Sequence, residues 1–220
     1  MEGTQVASKW LKTEALLSDA RVASHIPLTR MYSPAHLLQM LNEFGFVVIK
    51  PVVGGGGYGV IKVTKTHSFY SFTSLSSTRT FSSFQTLARA LGKAKKKRKY
   101  LIQQGIHLAT ILGRPIDYRV KVVKKDSTWV FRAIVGRLAK DGLFVTNLSK
   151  GGTQLTSSEA LGLSLSEDVV NTKREEMKQL TRICSEIMES KFPGVGRLGF
   201  DYGIDREGFI WILEVNTRPR

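Results

Sequence analysis

Arg197-Leu-Gly-Phe-Asp201-Tyr-Gly-Ile-Asp205-Arg-Glu-Gly208-Phe-Ile-Trp-Ile-Leu-Glu214-Val-Asn216 sets two apolar runs on either side of the turn-forming stretch Asp205 to Gly208, the pattern of an antiparallel hairpin. Side chains alternate along a strand, so Ile212, Glu214 and Asn216 are expected on one face and Trp211, Leu213 and Val215 on the other. A four-residue turn then sets Asp201 opposite Ile212 and diagonal to Glu214, on the same face. Two carboxylates and an amide oxygen converge there. Like charges that close resist joint ionisation unless a cation lies between them, and oxygen-only donors favour a hard ion such as Mg2+. A solvated edge strand with ordinary surface polar groups gives the same pattern, so the hairpin alone leaves both readings open.

Outward from the hairpin, Thr172 to Lys191 reads as the longest helix, with Met177, Leu180, Ile183, Cys184, Ile187 and Met188 on its buried face. The middle of the chain reads as an antiparallel sheet: Tyr100 to Ile106, Tyr118 to Val123, Trp129 to Val135 and Leu143 to Val145. Before it, His67 to Ser83 alternates as part of a smaller sheet, and Phe84 to Ala94 is a short amphipathic helix. Near the start, Ser8 to Ala23 has a helical apolar period, broken at His25-Ile-Pro27. Ser33-Pro34 opens a second helix as N-cap and first-turn proline, and Gly45 closes it. Phe46-Val-Val-Ile-Lys50-Pro51 is a strand, followed by Gly54-Gly-Gly-Gly57-Tyr58-Gly59 and the strand beginning Val60-Ile-Lys62. Five glycines in six residues let backbone N–H groups approach an anion closely, as a phosphate-covering flap would. A plain hairpin tip uses glycine equally well. A Walker loop is excluded, because no Gly-Lys-Ser/Thr follows and a strand comes next.

Composition narrows the function classes. The 220 residues suffice for one large domain or two lobes, and 42% hydrophobic with 23% charged residues is globular. No apolar run approaches the roughly 20 residues of a membrane span, and no secretory signal is visible, which predicts a cytoplasmic protein. Cys184 is the only cysteine and the four histidines are scattered, which argues against disulfides and zinc. The net charge of +15 implies attraction to polyanions. Part of it sits in Lys93 to Lys99, which reads as a solvated loop; no aromatic side chains interleave with it for stacking on nucleic acid.

In order, these pieces resemble the ATP-grasp fold: α+β, with two lobes of antiparallel sheet gripping a nucleotide. The resemblance rests on Val48-Ile49-Lys50-Pro51 with its flap, Leu101-Ile102-Gln103-Gln104-Gly105-Ile106, Asp117-Tyr118-Arg119, Thr146-Asn147-Leu148-Ser149-Lys150-Gly151-Gly152, Asp201, and Glu214-Val215-Asn216. Asp-x-Arg and Thr-Asn-Leu-x-Lys-Gly-Gly are similar to the branch that includes ribosomal-protein glutamate ligases. Ser8-Lys9-Trp10 and His25-Ile-Pro-Leu-Thr29 look most like the YheC/YheD-type endospore-coat group. The expected division is a leading helix and linker over 1–24, a small lobe with the flap over 25–100, and a large lobe with the metal hairpin over 101–220.

What the resemblance implies is specific. Lys50, with flap residues Gly55, Gly56 and Gly57, would hold the phosphates of ATP. Gln103, Gln104, Gly105 and Ile106 would form the hinge strand against adenine, Asp117 would accept from ribose, and Asn147 would lie near phosphates and metal. Asp201, Glu214 and Asn216 would bind Mg2+, as one or two ions, with Mn2+ able to substitute. Arg119, Arg137 and Arg218 would act on the transferring phosphoryl, and Lys62 and Lys150 are weaker candidates. The implied activity is a carboxylate–amine or carboxylate–thiol ligase working through an acyl phosphate, with an acidic peptide or polymer among its substrates. Family members carry a further N-terminal domain and usually Ser-Pro-Gly after the metal asparagine, where Thr217-Arg218-Pro219-Arg220 stands here. Two alternatives stay open: a nucleotide-binding structural or regulatory module associated with the spore coat or a partner domain, and, further behind, a basic nucleic-acid binder. Neither involves a membrane.

Overall fold

Two alternating patterns of buried and exposed residues build two antiparallel sheets in the computed structural model, which describes residues 4–95 and 97–219. Lys96, within the basic run, and Arg220 lie outside the described residues. The first half contains α1 (Lys9–Leu17), α2 (Ala20–Ala23), β1 (Thr29–Met31), α3 (Pro34–Phe44), β2 (Phe46–Pro51), β3 (Ile61–Lys65), β4 (Tyr70–Ser74), β5 (Ser77–Phe81), α4 (Phe84–Ala94) and β6 (Tyr100–Gln104). Its strands form a sheet in the order β1-β6-β2-β3-β4-β5. The second half contains β7 (Thr110–Ile111), β8 (Arg114–Lys125), β9 (Thr128–Leu138), β10 (Thr153–Thr156), α5 (Ser157–Ser164), α6 (Val170–Lys191), β11 (Arg197–Ile204) and β12 (Ile210–Asn216). These strands run β10-β9-β8-β11-β12, with β7 paired to β8.

Each sheet buries one face under helices. In the smaller one, Val47, Ile49, Ile61, Val63 and Ile102 meet Leu37, Met40 and Leu41 of α3 and Leu87 and Leu91 of α4. In the larger one, Tyr118, Val120, Phe200 and Tyr202 meet α5 and α6, and Cys184 is buried among them. Helix starts follow local chemistry. Ser33 accepts from the His36 N–H at 3.0 Å with Pro34 in the first turn, and Gly45 ends α3 at φ +72°.

Three local expectations are corrected. The helical run Ser8 to Ala23 is two helices, because Asp19 takes extended backbone and caps α2 by accepting from the Arg21 N–H at 3.0 Å. Leu143 to Val145 is not a strand. The turn at Asp141-Gly142, with Gly142 at φ +73°, carries this segment off the sheet, and Phe144 and Val145 face the cavity described below. The third correction concerns the hairpin. Its connection has five residues, Asp205 to Phe209, because the Asp205 carboxylate accepts from the N–H groups of Glu207 (3.1 Å) and Phe209 (2.8 Å) and from the Trp211 indole (2.7 Å). Tyr202 therefore pairs with Ile212, and a bulge then sets Asp201 directly opposite Glu214. The extra residue, Leu213, reverses the alternation. Ile212 and Val215 both enter the core, and Ile212 does not share a face with Glu214 and Asn216.

α1 joins the two halves. Ala15 and Leu16 pack into the core of the larger sheet. At its other end the Lys9 N–H donates to Val52 O at 2.8 Å, and Ser8 bridges Val53 beside the glycine loop.

Candidate functional site

The two sheets face each other across a cavity of ≈ 380 Å³. Its roof comes from β2 and the glycine loop. Alternation along β2 sends Val47 and Ile49 into the core, which leaves Phe46, Val48 and Lys50 on the cavity side. The Lys50 ammonium donates to Gln103 Oε1 at 2.6 Å, and Gln103 in turn donates to Thr29 Oγ1 at 3.1 Å. Burial pushes the Lys50 pKa below its ordinary value, and the Glu214 carboxylate only partly opposes this. A buried cation so poorly solvated gains much from an incoming anion.

Gly55, Gly56 and Gly57 line the roof. Gly54, Gly56, Gly57 and Gly59 all have positive φ, a conformation glycine adopts without steric cost. A Cβ on Gly57 would lie 2.4 Å from Asn147 Oδ1, so the loop touches the opposite wall only because that atom is missing. The Lys150 ammonium sits 3.4 Å from the centre of the Tyr58 ring, closing the same contact from below.

The floor is the uncovered face of β9, β8, β11 and β12, and it carries a network of charge. Arg137 donates to both oxygens of Asp117 at 2.7 and 2.6 Å, and Thr146 adds a third bond at 2.6 Å. Arg119 makes a two-pronged pair with Asp201, and Arg137 reaches the same carboxylate at 3.1 Å. Burial by itself would raise the Asp201 pKa. The Arg137 and Arg119 guanidiniums outweigh it and hold the carboxyl below the usual carboxylate range. Glu214 pairs with Lys9 at 3.0 Å, and the Lys9 ammonium also donates to Gly54 O at the foot of the loop.

At one end the cavity is apolar, lined by Phe46, Val48, Ile106 and Leu108. Gly105 lies behind this wall and does not line it. The Phe46 ring occupies the space where a Gly105 side chain would go, 2.1 Å from the Cβ position. The Gly105 N–H donates to Phe46 O at 3.1 Å.

The structure thus brings Lys50, Gly55, Gly56, Gly57, Gln103, Gln104, Ile106, Asp117, Arg119, Arg137, Asn147, Asp201, Glu214 and Asn216 to one cavity. Lys62 also lines it. Arg218 does not: its exposed guanidinium lies outside, donating to Gln5 Oε1 at 3.3 Å. Missing from the sequence reading of the site were Lys9, Phe46, Tyr58 and Thr146. Lys9, Tyr58 and Thr146 each stood within a quoted stretch, Ser8-Lys9-Trp10, the glycine flap and Thr146 to Gly152, whereas Phe46 carried no signal beyond its strand.

The donor set tests the fit of a cation. Asp201, Glu214 and Asn216 present oxygens from neighbouring strands, as a hard ion requires. Both Asp201 oxygens already accept from guanidiniums, and among the described residues no three His, Cys, Asp or Glu side chains are gathered for a metal. Asn216 and Glu214, which meets Lys9 through Oε1, fit as direct ligands, and Asp201 fits through lone pairs left over from Arg119 and Arg137.

A family model described as YheC/D like ATP-grasp matches residues 2–220. Endospore coat-associated protein YheD of Bacillus subtilis (strain 168) is 30% identical over 220 residues, which cover 96% of this chain and 48% of that protein. Endospore coat-associated protein YheC of the same organism is 26% identical over 233 residues, 99% of this chain and 61% of that protein. The chain spans about half the length of the curated relatives it matches. Among solved structures, N5-carboxyaminoimidazole synthase from Aspergillus clavatus, in complex with ADP and 5-aminoimidazole ribonucleotide, superposes with a TM-score of 0.60. The match covers 98% of this chain and 45% of that one at 14% identity, a likeness of fold.

Proposed function

The chain belongs to the YheC/D-like ATP-grasp family, and from that premise we propose that it binds ATP with Mg2+ between its sheets and acts as a carboxylate–amine ligase. The observation that carries this reading is one cavity holding a buried lysine, two guanidiniums and an all-oxygen donor set beneath a glycine flap. Lys50 and Lys9 hold the phosphate chain from the roof and from α1. The apolar slot at Phe46, Val48, Ile106 and Leu108 takes adenine, edged by the Gln103 to Ile106 segment, and Asp117 accepts from ribose once Arg137 yields part of its pairing. Mg2+, when bound by Glu214 and Asn216 with Asp201, supplies charge neutralisation on the phosphates.

A substrate carboxylate attacks the γ-phosphorus, the bond to the β-phosphate oxygen breaks, and ADP leaves with an acyl phosphate remaining. An amine then displaces phosphate. Arg119 and Arg137 stabilise the transferring phosphoryl, and flap closure over Asn147 excludes water. No side-chain nucleophile is needed.

A second reading is a nucleotide-binding module without turnover, associated with the spore coat as the relatives' names suggest. It is favoured by the pairing of Arg119 and Arg137 with Asp201 and Asp117, which leaves little free positive charge on the floor. Calorimetry with ATP and Mg2+ on wild type and Glu214→Gln tests what both readings share: Mg2+-dependent nucleotide binding is expected in the first and lost in the second. Unchanged binding in the variant would sink the metal assignment. Release of ADP and phosphate that requires an added acceptor separates ligase from binder.

A further inference from the structure

The uncovered face of the large sheet continues beyond the cavity. Every second residue of β8 faces it. Pro115, Asp117 and Arg119 line the cavity, and Lys121 and Val123 follow on the same face, outside it. Cross-strand pairing sets Ala133 and Gly199 beside Lys121, and Arg197 and Val130 beside Val123. Lys121 is half-buried and Arg197 exposed. Their neighbours in these rows are small or apolar, so nothing in the rows answers their charge. The carboxylates on this face that line the cavity, Asp201 and Glu214, lie one row back from Lys121 and two rows back from Arg197, and they are already paired with Arg119, Arg137 and Lys9. Pro219 covers Gly199, and on the β8–β9 side Lys121, Val123, Val130 and Ala133 are only half-buried.

With ATP bound as proposed, this strip continues from Arg119 past the phosphate end. With a rise of about 3.4 Å per residue, Lys121 stands about 7 Å beyond Arg119 along the strand, and the row holding Arg197 about 14 Å beyond it. Alternate side chains of an extended peptide repeat at the same interval. We propose that the strip is the acceptor shelf of the cleft and that the carboxylate substrate is an acidic peptide lying extended along it. Its reacting carboxylate meets Arg119, and the carboxylates of alternate residues meet Lys121 and Arg197. The proposal rests on the ligase reading for its meaning, but the binding it requires is measurable without nucleotide.

The probe is fluorescein-labelled hexaglutamate, followed by anisotropy at low salt, with hexaglutamine as the neutral control. Wild type should bind hexaglutamate and not hexaglutamine. The Lys121→Gln/Arg197→Gln variant should bind about tenfold more weakly, as expected for two partly exposed ion pairs, with its thermal midpoint unchanged. Lys97→Gln/Lys99→Gln, on the exposed basic run, should bind like wild type. Equal affinity of the shelf variant and wild type would overturn the proposal, as would an equal loss in the Lys97/Lys99 variant, since binding would then reflect bulk charge. Nucleotide affinity, measured in parallel, should be the same in wild type and shelf variant. A wild-type protein that binds hexaglutamate but no ATP would sink the ligase reading and leave the shelf standing.

Discussion

Lys12 is a cation the fold has taken out of water, one helical turn from Lys9 and with only 5% of its surface exposed. Burial lowers its pKa from 10.5 to about 8; Glu214 draws it back up and Lys9 pushes it further down. A lysine depressed in the folded state costs stability wherever the unfolded chain would hold the proton. The full cost applies below about pH 8, and stability rises as pH climbs from there toward 10.5. Lys12→Met should remove that rise and raise stability at pH 7 by ~2 kcal/mol; urea unfolding at several pH values without Mg2+ is the measurement. A flat profile in the wild type would contradict it. None of this was legible in the sequence, where Lys12 reads as an ordinary helical surface residue. Its partners lie about two hundred positions away, and only the closed fold brings them near. Lys50 was legible only through the family resemblance, which picks out the lysine on the strand before the glycine run.

Among the elements, the glycine loop and the final hairpin show where local pattern suffices and where it fails. The loop's composition announced a close approach, and four of its glycines have positive φ. What the loop approaches is a matter of tertiary structure: Asn147, against which a Gly57 side chain would collide. Gly57→Ala combines that collision with a strained backbone, so nucleotide affinity should fall at least tenfold while the unfolding midpoint moves little. Calorimetry beside a thermal melt checks both. The hairpin's two strands and its acidic face were legible from alternation. Its register was not, because one carboxylate, Asp205, reorganises the turn and a bulge at Leu213 resets the parity. Leu143 to Val145 failed differently: three apolar residues look like a strand, but two of them, Phe144 and Val145, wall a cavity. Gly136 on β9 is another contact invisible to pattern, with a Cβ position 2.3 Å from Ala160 Cβ of α5. Gly136→Ala should push α5 off the sheet and cost about 1–3 kcal/mol by overpacking, read as a lower urea midpoint.

For the whole molecule, the two sheets close on one cavity, and α1 ties them by packing on one and hydrogen-bonding to Val52, just past the end of β2 in the other. A ligand bridging both should therefore stabilise the chain as a unit. At a hundredfold excess of Mg2+-ATP over its dissociation constant, linkage gives about 2.7 kcal/mol, which for a chain of this size is a rise of roughly 5–10 °C in midpoint. A thermal melt with and without Mg2+-ATP measures it, and no rise would contradict nucleotide binding between the lobes. The family resemblance, carried by short motifs in order, made this two-lobed architecture readable in advance. The strip beyond Arg119 carries no motif, and its shape emerges only from cross-strand register.

Cys184 lies on α6, fully buried in the core of the larger sheet. Burial raises its thiol to about 12, so almost no thiolate forms near neutral pH. Among the described residues no other cysteine competes with it, and the chain is in effect chemically silent toward maleimides. A Tyr58→Cys substitution, at the cost of the Lys150 contact, would supply one addressable thiol on the flap, and a dye attached there would report opening and closing with no native cysteine to remove first.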